Sequence, residues 1–225
     1  MTFSISARCS RTGMFGIAVS SSSPCVAARC AHARSGAGAV ATQNITDPML
    51  GPKGLDLLGQ GLSAKDALAK LRAEAPHIDY RQLALIDRQG GTASFSGAKT
   101  LGTHRTAEAP NVVTAGNLLK NIDIPQRMID AFMADETAPL GDRLIAAMQG
   151  ALAAGGEEGP IHSAGMLLVR NVGWPVADLR VDWHETDPIG ELQRLWQLWQ
   201  PQMDAYVTRA LNPSSAPSYG VPGDR

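Results

Sequence analysis

At the start of the chain apolar and small polar residues alternate strictly, Phe3, Ile5 and Ala7 against Ser4 and Ser6. A period of two is that of a β-strand and predicts one with a buried face. A turn at Arg11-Thr12-Gly13 and a returning apolar run over 16–20 complete a hairpin whose first strand begins at the second residue. The extreme N-terminus is thereby committed to a sheet interior rather than left to fray. A small-residue segment over 21–38 precedes a third strand over 39–43.

Beyond Asp47-Pro48 the period changes. Leu55, Leu57 and Leu58 predict a helix, and Ser63 is a good N-cap for a second one carrying Ala67, Leu68 and Leu71 and ending near Pro76. Runs over 82–87 and 92–96, joined by Gln89-Gly90-Gly91, read as a hairpin, and 111–115 as a strand that breaks at Gly116-Asn117. Helices are predicted over 125–134 and 140–154, a Gly-rich break over 155–160, and strands over 164–169 and 177–183. Ile189, Leu192, Leu195, Trp196 and Trp199 fall at helical spacing within 188–200, and a short helix follows over 201–211. Trp196 and Trp199 are expected in the core or at a subunit interface.

Hairpins and paired helices alternate along the chain, with no internal repeat and no linker long enough to divide it. The order suits an α+β fold, a four-layer αββα sandwich of antiparallel sheets with helices outside. One domain is expected over 1–211, with a proline-rich arm over 212–225. That arm is too irregular to add to a monomer's core but suits wrapping a neighbour, so a homo-oligomer, most simply a dimer, is expected.

Composition narrows the function classes. Of 225 residues 44% are hydrophobic and 18% charged, with a formal net charge of −1, which is the range of an ordinary globular chain. Without a run of like charge, neither nucleic acid nor an anionic membrane is an expected partner. No apolar stretch approaches a membrane span, and the chain does not open with a basic segment followed by an apolar one. Cys9, Cys25 and Cys30 lack metal-type pairing, so a reducing, cytoplasmic setting is expected. A thiol-dependent enzyme remains a competing reading. His32, His104 and His162 are candidate acid–base groups, whereas His77 and His184 read as structural or surface residues. None stands in metal-ligand spacing, and the glycines match neither a phosphate-loop nor a dinucleotide pattern, so no metal and no cofactor are expected.

Four features at separated positions carry a resemblance: Thr2-Phe3-Ser4-Ile5, the run from Gly36 to Gln43 (GAGAVATQ), Gly51-Pro52-Lys53-Gly54-Leu55-Asp56-Leu57-Leu58, and Ala115-Gly116-Asn117-Leu118-Leu119. With 164–169, Asp178-Leu179-Arg180-Val181-Asp182 and Tyr219-Gly220-Val221-Pro222-Gly223-Asp224, they resemble the DUF1028 family over nearly the whole chain. That bacterial family has no assigned activity, and its fold is similar to the N-terminal-nucleophile hydrolases. At 155–163 the chain departs from the commoner family pattern, with Glu157 and His162 where many members have Asp and Gln.

The resemblance implies hydrolysis of an amide, ureido or imino C–N bond in a small-molecule substrate, with Thr2 as nucleophile once Met1 is lost. A threonine hydroxyl needs a base, which a free α-amine on the same residue supplies at neutral pH. Asn117 and Gly116 are candidate donors to the oxyanion. Ser20 with its neighbour Ser21, Gln43 with Thr42 and Asn44, and His162 are candidates for binding substrate or amine. The alternative is a non-catalytic small-molecule-binding or scaffold protein on the same fold.

Overall fold

The N-terminal alternation sorts two buried faces, not a buried face and a wet one. In the computed structural model, which describes residues 1–221, the first strand, Thr2–Arg8 (β1), is buried at every residue but the last. Phe3, Ile5 and Ala7 join the core beneath the helices, while Ser4 faces a second sheet, where its Oγ donates to Gln43 Oε1 at 2.6 Å. The expectation of a single buried face is therefore corrected. Serine fits the narrow gap between sheets, and the Ser4 hydroxyl is tolerated there because it finds a partner.

Strand β1 lies in the middle of a six-stranded antiparallel sheet. Its neighbours are Phe15–Ser21 (β2) on one side and Val112–Asn117 (β8) on the other. Ser163–Val169 (β9) and Ala177–Val181 (β10) continue the sheet beyond β2, and Arg105–Ala109 (β7) closes it beyond β8. The second sheet has four strands in sequence order: Ala31–Arg34 (β3), Gly38–Asn44 (β4), Arg81–Asp87 (β5) and Thr92–Ser96 (β6).

Helices Ile124–Met133 (α4), Leu140–Ala153 (α5) and Pro188–Trp199 (α6) cover the outer face of the larger sheet. Leu50–Gly59 (α2) and Ala64–Glu74 (α3) cover the smaller one. The αββα sandwich is thus the observed architecture. A short helix, Ala27–Cys30 (α1), precedes β3, and Met203–Leu211 (α7) follows α6.

Local chemistry accounts for these elements. Ser63 Oγ accepts from the Asp66 amide at 3.2 Å, the expected cap of α3. At the start of α6, Asp187 accepts from Gly190 and Pro188 occupies the first turn. Gly51 lets α2 lie against β3, since a Cβ there would stand 2.1 Å from the His32 ring. Trp196 is buried beneath α6, and its Nε1 donates to Asp142 Oδ1 at 2.8 Å, so this tryptophan finishes the chain's own core.

Four elements differ from expectation. The segment over 21–38 holds α1 and β3. The edge strand β7, short and carrying Arg105 and Glu108, has no apolar pattern to announce it. Strand β8 continues through Gly116 and Asn117, and the break comes at Leu118, which is left-handed at φ 51°. As for the arm, Tyr219 packs edge-on against Tyr206, and the Arg209 guanidinium lies 3.7 Å from its ring centre. Within this chain the described part of the arm folds back on α7; residues 222–225, with the end of the tail motif, lie outside the described residues.

Candidate active site

The gap between the sheets is apolar over most of its length, filled by Phe15, Ile17, Ala39, Ile86, Val113 and Val169 among others. At the Thr2 end it becomes polar. Strand register explains why. Thr2 pairs with Ser21 on one side and Asn117 on the other, and Ser21 pairs in turn with Ser163. Side chains directly opposite in neighbouring strands share a face with Cβ atoms about 4.5–5.5 Å apart. Four polar side chains therefore line one row on the inter-sheet face, with Thr2 inside it.

Behind this row stands a buried amide network. Gln82, on β5 of the facing sheet, accepts at Oε1 from Gln43 Nε2 at 2.8 Å and from Asn117 Nδ2 at 3.1 Å. Its own Nε2 donates to Ser96 Oγ and to the Gly116 carbonyl, each at 2.9 Å. Gln82, Gln43 and Ser4 are almost fully buried, as is Asn117. Such a network fixes the orientation of the Asn117 amide, because each alternative would strand a buried polar group. One Nδ2 hydrogen is spent on Gln82, and the strand register puts Thr2 beside the same side chain.

Thr2 is preceded by Met1, so its nitrogen lies in a peptide bond. The Met1 carbonyl oxygen accepts from Thr2 Oγ1 and from Ser21 Oγ, both at 2.5 Å, and the two hydroxyl oxygens are 3.3 Å apart. From Ser21 a further contact runs to Ser23 Oγ at 3.0 Å, which accepts from the Arg29 guanidinium. The segment 157–162 passes over this end of the sheet. Glu157 bridges to Leu119 just beyond β8, and the His162 amide donates to the Ser21 carbonyl at the end of β2. Beneath that segment lies the Met1 side chain, where a Cβ on Gly159 would stand 2.9 Å from its terminal methyl.

Glu157 is 4% exposed, and neither carboxylate oxygen has a hydrogen-bond partner among the described residues. Burial pushes its carboxyl up to about 8, against the opposing pull of the chain's N-terminal ammonium and the Ser22 amide.

A family model described as "Family of unknown function (DUF1028)" matches residues 2–192. The chain belongs to the DUF1028 family. Among solved structures it is similar to protein SPO2555 from Silicibacter pomeroyi, which carries the same family model. The two are 30% identical, with a TM-score of 0.81 and 88% of each chain covered. A fainter likeness is to Anbu (ancestral beta-subunit) from Yersinia bercovieri, 12% identical, with a TM-score of 0.40 over 91% of this chain and 97% of that one. No curated protein matches the chain.

In this DUF1028 chain the residues singled out in the sequence do not all converge. Thr2 and Asn117 stand side by side. Gly116 does not turn towards them: as part of a strand between two neighbours its amide lies in the plane of the sheet, and its carbonyl accepts from Gln82. Ser20 falls on the opposite face, where its Oγ donates to the Ser163 carbonyl at 2.9 Å; Ser21, one residue on, faces Thr2. Gln43 has both ends of its amide engaged, by Ser4 and Gln82, so it supports the Asn117 network rather than offering a free group. His162 stacks on Trp183 with ring centres 4.3 Å apart, and its Nδ1 lies 3.0 Å from the His184 carbonyl, so Nδ1 carries the proton.

The remaining candidates lie elsewhere. His32 sits against α2 and His104 stands exposed beside Gly102. Cys9 is buried at the far end of β1, about 24 Å from Thr2 at strand rise. Burial raises the Cys30 thiol to about 11, away from the reactive thiolate. A surface cavity of about 370 Å³ around Ser63, Asp87 and Thr92 is at the opposite end of the second sheet. Its carboxylates are spent on structure, since Asp87 accepts from the amides of Ala64, Gln89 and Gly91 and Glu108 from the hydroxyls of Thr92 and Ser94. Gln82, the hub of the network, was missed in the sequence: a Gln opening an apolar run reads as a strand end.

Proposed function

We propose that this chain, once Met1 is removed, hydrolyses a C–N bond of the amide, ureido or imino type in a small molecule, with Thr2 as nucleophile. The observation that carries the reading is the register of Thr2 between Ser21 and Asn117, at the polar end of an otherwise apolar gap. Loss of Met1 converts the Thr2 nitrogen into a primary amine beside its own hydroxyl, the base that such a nucleophile needs. It also empties the space beneath 157–162 that Met1 fills, which makes room for a substrate.

In the proposed reaction Thr2 Oγ1 attacks the substrate carbon and passes its proton to the α-amine. The negative charge that develops on the substrate oxygen, or on the corresponding imino nitrogen, meets the Asn117 amide, with the Ser21 hydroxyl as a second donor. The amine then protonates the leaving nitrogen. An amide leaves an ester on Thr2 and a ureide a carbamate, which water attacks to free Thr2. An imine leaves an oxocarbenium that water traps as a hemiacetal, whose collapse to the carbonyl frees Thr2. The αββα architecture agrees with the fold that the sequence resemblance implied, and no step requires a cofactor.

The test is release of ammonia or amine from a panel of small amides, ureides and imines by two preparations of known intact mass, one beginning at Thr2 and one retaining Met1. Turnover confined to the Thr2-first chain is expected. Equal turnover by the Met1-bearing chain would sink the mechanism.

A two-fold dimer is the expected assembly. Leu198 and Leu211 are 54% and 65% exposed on α6 and α7, beside the arm, and pairing of that surface would bury them. Light scattering on the full chain and on one ending at Leu211 checks both parts. A monomeric full-length mass refutes the dimer, and an unchanged dimer after truncation refutes the arm's part in it.

A further inference from the structure

The three groups of Met1 are each received by a different part of the candidate site. Its carbonyl oxygen takes two hydroxyl donors, from Thr2 and Ser21. Its thioether side chain lies against Gly159, where even a methyl group on the glycine would collide with it. Its ammonium lies within electrostatic reach of Glu157, a buried carboxyl otherwise without a hydrogen-bond partner among the described residues. Met1 is thus an α-ammonium, a carbonyl and a side chain laid out around the nucleophile, and each meets chemistry suited to it.

A buried carboxyl without a partner is costly, and a fold that merely needed to fill space would place an apolar side chain there. The cost is offset when a cation arrives that the carboxyl can hold by a charge-assisted hydrogen bond. Glu157 stands on the segment that roofs the site and faces inward beside the Ser22 amide, one residue past Ser21. The same roof carries Gly159, so one short stretch of chain supplies both the group that meets the cation and the space for the side chain.

We propose that the substrate carries a cationic nitrogen one carbon from the carbonyl, as in an α-amino acid amide, and that Glu157 holds that nitrogen while Ser21 and Asn117 receive the carbonyl oxygen. The inference rests on the reading of the Thr2 surroundings as a substrate site and names the substrate class of that site. In this arrangement Glu157 takes no part in bond breaking; it decides which amides are held with their carbonyl at Thr2. Binding draws the carboxyl into its ionised form, because an ammonium in contact favours the charged state.

Two probes differing only in the α-amine test this by calorimetry: L-methioninamide and 4-(methylsulfanyl)butanamide. The protein is released from a fusion so that residue 2 is first. A Thr2→Ala chain prepared in the same way holds the probes without turnover. It is expected to bind L-methioninamide roughly tenfold or more tightly than the deamino compound, the scale of one charge-assisted hydrogen bond. Glu157→Gln in that background is expected to bring the two affinities together, and a Met1-bearing chain to bind neither probe. Equal affinities in the Thr2→Ala chain, discrimination that survives Glu157→Gln, or binding of neither probe at millimolar concentration would overturn the proposal. Hydrolysis is read separately, as ammonia released by the Thr2 chain. A chain that discriminates without releasing ammonia from any amide would refute the nucleophile and leave the cation site standing.

Discussion

Replacing Thr2 by Ala is expected to lower turnover by at least about 10³-fold while leaving the fold intact, the scale seen when a nucleophile acting as part of a unit is removed. Alanine at position 2 is also small, so Met1 is still removed and the α-amine remains; the hydroxyl and the γ-methyl are lost. In the structure that hydroxyl contacts Met1 and Ser21 and nothing in the apolar gap. With Met1 gone the cost to stability is that of the Ser21 contact and one buried methyl, about 2 kcal/mol. Thr2→Ser, which keeps the hydroxyl, should retain measurable turnover. Rates on the best amide of the panel, with urea unfolding as the control, settle the matter. A Thr2→Ala chain working at half the parental rate would move the nucleophile elsewhere.

For Asn117→Ala the expected loss in kcat is roughly 10²–10³-fold, the range for deleting one oxyanion donor. The structure explains why the fold should survive. Gln82 Oε1 keeps Gln43 Nε2 as a donor when Asn117 is truncated, so the hub of the network is not stranded. Asn117→Asp should be as damaging as the alanine, since a carboxylate opposes the charge that the transition state develops. Full turnover in the alanine variant would show that the oxyanion is received by other donors, with the Ser21 hydroxyl the next to test.

Much of this site could be read from the residues, but not its depth. Strict alternation over residues 3–7 located β1, and Thr2 at its head followed from counting. What alternation does not tell is whether the second face meets water or another sheet, because Ser4 and Ser6 suit either. Likewise Gly116-Asn117 carries the composition of a turn, and only pairing with Phe3 and Thr2 draws it into a strand. That pairing, between residues more than a hundred positions apart, aligns Asn117 with Thr2 and turns Gly116 away. Ser20 and Ser21 are chemically the same in a sequence, and a register of one residue separates the face that meets Thr2 from the face that does not. Gln82 escaped because its importance lies in four partners from three other strands. The helix cap at Ser63 and the apolar stripe of α6 were legible because their determinants are local.

The burial of β1 from its first residue has a practical consequence for how the protein is handled. A polyhistidine tag or fusion partner left at the N-terminus would have to leave the fold through the space between Thr2 and the 157–162 segment, past Gly159. Material purified that way would fold normally, because the sheet forms from Thr2 onward, yet would present a corked candidate site to every compound in a screen. Activity surveys run on N-terminally tagged protein would then record a false negative, whereas cleavage that leaves residue 2 first frees that exit.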